Sequence, residues 1–324
     1  MPLNTNHLTP KRTRPLQSPQ MNTRQTFLSI GYLVLTIGLA AIPETAHAGT
    51  CFVWRVTNTP TPCYLVGTLH ALRARDYPLP AGCYQALEDS KRLVFEMRML
   101  DPGSKFAEKF CRAAAYPDGD YIQRHVHPKT WEIIKASFGK QSMLGHGFWV
   151  GKHYVEHGVE QLRPWAIAGF WYGIPGYSDA FSDLGVDDSL AYEGKRKGKE
   201  LGALETDDEH VEVLRGMDDT ESELLLLDPI VHRDKEKGWE EQLRTAWKHG
   251  DIAGVREHLA RFGNLNPGAH VKLLDHRNIK WIPKIKAEFS SGKPTSIVVG
   301  SGHMLGPNGL IALLEKQGYQ FEQL

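Results

Sequence analysis

The chain is short of the features that mark many function classes. It has four cysteines in 324 residues, none spaced C-x-x-C, which excludes a four-cysteine zinc site of the usual spacing. Acidic and basic residues balance at 38 each, so no overall field draws nucleic acid or an anionic membrane surface. No apolar run after the first fifty residues reaches the ~20 residues that span a bilayer. No P-loop or G-x-G-x-x-G follows an expected strand, so the common nucleotide-binding loops are absent. Gly300-Ser301-Gly302 does not fit G-x-S-x-G, because Val299 and His303 hold the positions two residues either side of the serine.

What the N-terminus does have is an apolar run from Phe27 to Ile42 behind basic residues, followed by Ala46-His47-Ala48. Positive residues, a short apolar core and a small-x-small site predict a cleaved signal peptide with cleavage near Ala48. Residues 1–48 are then an N-terminal extension plus signal peptide, and a single domain of 276 residues, 49–324, remains. Such a length suffices to bury a full core. The expected location is periplasmic or secreted, with no stable membrane span after cleavage. An oxidising compartment permits disulfides. The expected pairs are Cys51–Cys63, across a hairpin, and Cys83–Cys111, between two helical segments.

Periodicity and breakers give an alternation of strands and helices. Phe52–Val56 and Cys63–Val66 read as a strand pair around Asn58-Thr59-Pro60-Thr61-Pro62. A short helix around Tyr84–Ser90 precedes the strand Arg92–Met97, which carries one charge, Glu96. Residues 101–185 read as a helical insertion. Gly185-Val186-Asp187-Asp188 predicts an aspartate-capped helix that ends in a basic run, Lys195–Lys199. Glu200–Glu205 is a strand, and Thr206-x-x-Glu209 is a capping box opening the next helix. Residues 207–290 are again helical, with Pro283 expected to kink or divide the last helix. Thr295–Val299 is a strand, Pro307 is expected at the first position of a helix, and Tyr319–Leu324 closes the chain as a strand.

Two of these strands end alike. Tyr64-Leu65-Val66-Gly67-Thr68-Leu69-His70 and Ile297-Val298-Val299-Gly300-Ser301-Gly302-His303 are each an apolar strand, a glycine turn and a histidine. The plan strand, Gly-x-x-His, helix, strand occurs at both ends of the domain. The expected fold is therefore α/β, with a mixed central sheet from two related halves and a large helical insertion between them. Glycine permits a tight turn or close backbone approach. The turn aims each imidazole at the carboxyl edge of the sheet. Two histidines and one carboxylate suffice to hold a catalytic divalent metal with an open position. Glu96 and Glu205 both end strands, and either supplies the carboxylate in this reading. Two turn histidines bonded to backbone are the bland alternative.

Two further patterns compete. His153-Tyr154-Val155-Glu156-His157 fits the inverted zincin string H-x-x-E-H, which requires a helix to bring both histidines to one face. Its neighbourhood offers little apolar surface to anchor such a helix. Arg277-Asn278 is a candidate for binding a carboxylate or stabilising an oxyanion, against the alternative of an interhelix salt bridge.

Taken together, these strings resemble the TraB/GumN family, related to the Tiki metalloproteases. The resemblance runs from Tyr64–His70 through Tyr77-Pro78-Leu79-Pro80, Val94-Phe95-Glu96, Leu162-Arg163-Pro164-Trp165, Gly185-Val186-Asp187 and Leu204-Glu205-Thr206. It continues through Arg277-Asn278 to Val299–Leu310 and Gly318-Tyr319. It implies an α/β fold similar to the erythromycin-esterase and ChaN-like group. It also implies an exported metal-dependent hydrolase, a peptidase acting on a peptide or protein, with a divalent ion (Zn, Mn or Co) as cofactor. The family motifs fall on His70 and His303 as ligands, on Glu96 and Glu205 as acidic residues, and on Arg277 and Asn278 beside them. The competing expectation is a non-catalytic protein that holds a peptide or haem in the same cleft; the aromatic-rich stretch Phe148–Tyr177 favours it. No nucleic-acid partner is expected.

Overall fold

A computed structural model describes residues 50–101, 103–138, 148–150, 153–155, 158–171, 180 and 182–324. The signal-peptide reading and the C-terminal half of the H-x-x-E-H string lie outside the described residues. The strands are β1 (Val53–Val56), β2 (Cys63–Thr68), β3 (Arg92–Phe95), β4 (Phe148–Val150), β5 (His153–Val155), β6 (Glu200–Ala203), β7 (Thr295–Gly300) and β8 (Phe321–Gln323). β4 and β5 form a hairpin of their own; the other six form one sheet in the order β6-β3-β7-β2-β1-β8.

β2 lies parallel to β7, β7 to β3, and β3 to β6, while β1 is antiparallel to both β2 and β8. The sheet is mixed, with β1 reversed. β2 and β7 are buried at every position, as strands covered on both faces should be. β1 is buried except at Arg55, which meets Glu322 of β8 at 2.6 Å.

The helices are α1 (Ala81–Asp89), α2 (Phe106–Ala114), α3 (Pro128–Phe138), α4 (Pro164–Trp171), α5 (Val186–Arg196), α6 (Asp207–Arg215), α7 (Asp219–Val231), α8 (Arg233–Lys248), α9 (Ile252–Leu265), α10 (Pro267–His270), α11 (His276–Phe289) and α12 (Leu310–Glu315). A π-helical turn, Val271–Asp275, joins α10 to α11. The main core lies on the sheet, around Leu65, Phe95, Trp247, Trp281 and Phe289. A second core, around Ile122, Ile134, Leu162, Trp165 and Leu226, holds the insertion helices against α7.

Several sequence expectations are corrected. The first connection, β2–α1–β3, crosses one strand, whereas β7–α12–β8 crosses two in the opposite direction, so the strand order does not itself repeat. His153–Val155 is a strand rather than a helical turn, which removes the shared helix face that H-x-x-E-H requires. The insertion is therefore not wholly helical. α11 runs through Pro283 as one helix. α12 begins at Leu310 with Gly309 as its cap, because Ser301–His303 and the Gly306 turn (φ 95°) occupy the preceding chain. α5 has Gly185 at its cap position and no side-chain cap, so the aspartate that follows serves elsewhere.

Neither expected disulfide forms; all four thiols are free. The β1–β2 register pairs Cys63 with Val56, five residues from Cys51. At about 3.3 Å per residue that separation is far beyond disulfide reach. Cys83 is buried in the sheet core, whereas Cys111 packs against the insertion core.

Candidate active site

Strand order decides what meets at the sheet edge. The four neighbouring parallel strands β6, β3, β7 and β2 end side by side, and just beyond them lie Glu205, Glu96, His303 and His70 respectively. Functional groups in open α/β sheets gather at the carboxyl ends of strands, as here.

The glycines let the loops close. A Cβ on Gly67 would lie 2.6 Å from the Phe52 ring, and the Gly67 carbonyl accepts from Trp247 Nε1 at 2.7 Å. A Cβ on Gly300 would lie 3.0 Å from His70 Nε2 and 3.3 Å from Glu96 Oε1. The Gly300 N–H donates to that same Oε1 at 2.7 Å. Any larger residue would push the imidazole and carboxylate apart.

Each histidine is oriented through Nδ1. Asn278 Nδ2 donates to the carbonyls of His303 and Asn308, so its Oδ1 accepts from His303 Nδ1 at 2.7 Å. That network assigns the proton to Nδ1 and leaves the Nε2 lone pair facing the site. Burial pushes the His303 imidazole down to about 4, keeping it neutral near pH 7. His70 Nδ1 donates to Asp187 Oδ2 at 2.8 Å, and Thr68 Oγ1 donates to Asp187 Oδ1 at 2.6 Å. The Asp187 carboxylate pushes the His70 imidazole up to about 10, although water screens its two-thirds-exposed ring.

Glu96 lies between the imidazoles. Its Oε1 is 3.6 Å from His303 Nε2 and 3.9 Å from His70 Nε2. Burial acts to raise its pKa, but His303, Arg277 and His70 outweigh burial and hold it well below the usual carboxylate range. Arg277 Nη2 donates to Glu96 Oε2 at 2.7 Å. The same guanidinium clamps Glu205 through Nε and Nη2, both at 2.9 Å, and its Nη1 donates to the Leu273 carbonyl and points at His303 Nε2, 3.3 Å away. Trp281 Nε1 and His210 Nδ1 complete the surroundings of Glu205 at 3.0 Å each. Burial opposes ionisation of Glu205, yet His210 and Arg277 bring it down to about 2.

All six sequence candidates therefore converge, but in two tiers. His70, His303 and Glu96 border a common cavity with Arg277; Glu205 does not line that cavity and is 5% exposed. Asn278 sits behind His303. Asp187 and His210 have no role at the site in the sequence reading. Asp187 reads there as a helix cap and as part of the Gly185-Val186-Asp187 string; His210 carries no signal.

The donor chemistry suits a divalent ion: two imidazole Nε2 atoms and a carboxylate oxygen, with both Nδ1 atoms held by oxygen acceptors. As they stand, no group of three or more such residues among the described residues is closed tightly enough to hold a metal. The reasons are visible. Arg277 Nη1 occupies the lone pair of His303, and Oε1 is engaged by Gly300. Glu96 Oε1 stands 3.6 and 3.9 Å from the two Nε2 atoms, and Arg277 would have to leave His303 before a cation could take that lone pair.

The model of the TraB/PrgY/gumN family matches residues 52–323. The metalloprotease TIKI1 of Danio rerio is 24% identical over 316 residues, covering 84% of this chain and 62% of that protein. The metalloprotease TIKI2 of the same organism is 22% identical over 318 residues, covering 84% and 60%. The chain thus spans about three fifths of the length of these relatives. No solved structure matches it.

Proposed function

Because the chain belongs to the TraB/PrgY/gumN family, we propose that it is an exported metal-dependent hydrolase that cuts peptides or proteins. The observation that carries this reading is the convergence of His70 and His303 on Glu96, each histidine oriented through Nδ1. His70, His303 and Glu96 would hold the ion, a Zn, Mn or Co dication. When bound, it would polarise a substrate carbonyl and acidify water. Glu205, with its lone pairs taken by Arg277, Trp281 and His210, is the anchor of Arg277 rather than a ligand. The exposed ring of His70 gives a substrate access. Asp187 keeps Nε2 of His70 turned inward, and Asn278 does the same for His303. Arg277, held by Glu205, presents a fixed positive charge beside the reacting carbonyl, where it stabilises developing negative charge. No helix among the described residues is long and apolar enough to cross a membrane. The proposed location outside the cytoplasm rests on the N-terminal sequence.

The test is metal content and peptide cleavage of the purified 49–324 protein alongside His70→Ala and His303→Ala. About one ion per chain, lost in both variants together with cleavage, is expected. Equal metal content in all three proteins, or stoichiometric peptide or haem binding without product under any divalent ion, would overturn it.

A further inference from the structure

The cavity that holds the candidate site is polar only at its floor. It encloses ≈ 420 Å³, within the size range of ligand pockets. Its walls come from α8, α9 and the π turn. Leu259 and Phe262, with His258, stand on one face of α9; Leu243 faces them from α8, and Leu273 and Leu274 from the π turn. All six side chains are half-buried. They border the space instead of closing on one another.

The walls reach the reactive loop itself. A methyl built on Gly302 would lie 3.6 Å from Leu259 Cδ1 and 3.6 Å from Leu274 Cδ2, ordinary contact distances. Burial pushes the His258 imidazole down to about 4, so near pH 7 it adds no charge to the wall. At the floor each charged group faces a partner: Arg277 pairs with Glu96, and His70 with Asp187. A charged side chain lying against these walls would lose its hydration with no partner on them, whereas an apolar one would bury its surface.

We propose that this cavity is a specificity subsite for a large aliphatic or aromatic side chain of the peptide, seated next to the bond presented to His70 and His303. The proposal rests on the hydrolase reading above for its substrate class. The site selects by exclusion as much as by attraction: the wall rejects Asp, Glu, Lys and Arg, and leaves Gly and Ala without contact.

Two measurements separate this idea from the reading beneath it. The first is cleavage, by the metal-loaded 49–324 protein, of quenched fluorescent peptides of one scaffold, with Leu, Phe, Gly, Asp or Lys placed in turn at each position. Cut sites are mapped by mass spectrometry. A single position flanking the cut is expected to favour Leu or Phe over Asp, Lys and Gly by about tenfold or more in kcat/KM, the scale of burying one large apolar side chain. The second is fluorescence-polarisation binding of the same peptides to His70→Ala, which truncates an exposed ring. It should show the same order of affinities, and Leu259→Asp in that background should abolish the preference. Phe262→Ala, which only removes wall, should weaken it if the aspartate variant does not fold. Cleavage with no apolar preference at any position overturns the subsite and leaves the hydrolase reading standing. Apolar-selective binding with no cleavage by any loaded protein overturns the hydrolase reading and leaves the subsite standing. No binding of any peptide overturns the subsite.

Discussion

Arg277 is the residue whose loss should be felt most. It is 7% exposed at the side chain and bonds to two carboxylates, themselves 10% and 5% exposed. Arg277→Ala leaves Glu96 and Glu205 buried without their shared cation. Breaking one buried pair in this way costs about 3–5 kcal/mol. The Glu205 carboxyl gives a second route to the size. Its pKa falls from the ordinary 4.5 to about 2 through His210 and Arg277, which corresponds to ~3 kcal/mol of linked stability shared between those two partners, so Arg277 supplies only part of it. The sign follows from the direction of the shift. A depressed carboxyl stabilises fully above its unfolded pKa, and loses that contribution as pH falls through the folded value. The gap between wild type and Arg277→Ala should therefore be full at pH 7 and shrink as pH falls from about 4.5 toward 2, where Glu205 takes up its proton; Glu96, held lower still, keeps part of the gap below that. The assay is urea unfolding in chelator at pH 7 and pH 3, so that metal binding adds nothing to the native state. A midpoint unchanged at pH 7, or a gap that is as large at pH 3, would refute the reasoning.

Asp187→Asn should keep the fold, yet lower metal affinity by about 10–100-fold, because it removes the carboxylate that orients His70 Nδ1; titration calorimetry with Zn, Mn and Co checks this. Gly300→Ala should reduce both metal content and cleavage, since the new methyl would lie 3.0 Å from His70 Nε2; metal analysis and a peptide assay read it, with circular dichroism to confirm folding. Glu205→Gln should cost about 1–3 kcal/mol in urea unfolding and leave metal stoichiometry intact, whereas Glu96→Gln should lose the metal; the opposite assignment would show that the outer glutamate is the ligand.

Local chemistry explains what was legible. The Gly-x-x-His turns could be read because a strand, a glycine and a histidine are consecutive. The capping box at Thr206 could be read for the same reason, and the structure forms it with both reciprocal bonds. Asp187 could not, because its partner His70 lies 117 residues away. An aspartate after a glycine at a helix start fits a cap as well as a buried acceptor. Only the docking of α5 on the β2 loop, where Val186 N–H donates to the Leu69 carbonyl at 3.0 Å, turns it inward. The π turn was equally silent. Pro283 drew attention as the helix breaker, yet its missing N–H would serve the carbonyl of Ile279, a residue with an exposed side chain. The real irregularity is Val271–Asp275, where the His276 N–H reaches back to the Val271 carbonyl. There the turn supplies the Leu273 carbonyl that accepts from Arg277 Nη1. Such π turns recur at functional sites because they re-aim the residues around them.

The ambiguity between Glu96 and Glu205 shows where sequence reasoning runs out. Both are single acidic residues just past the end of a strand, and nothing local tells them apart. What separates them is the order of strands, a non-local property. β3 lies against β7, so Glu96 falls beside the His303 loop; β6 lies one strand further out, so Glu205 cannot reach either imidazole without crossing Arg277. Two carboxylates on neighbouring strand ends would repel if both were ionised in so dry a place. The guanidinium between them removes that conflict and ties the outer glutamate, the inner glutamate and His303 Nε2 into one unit. A cation taken up by the two histidines, as proposed, would have to compete with Arg277 for His303 and for Glu96. The position of that one side chain links the stability of the buried pair to the affinity of the site.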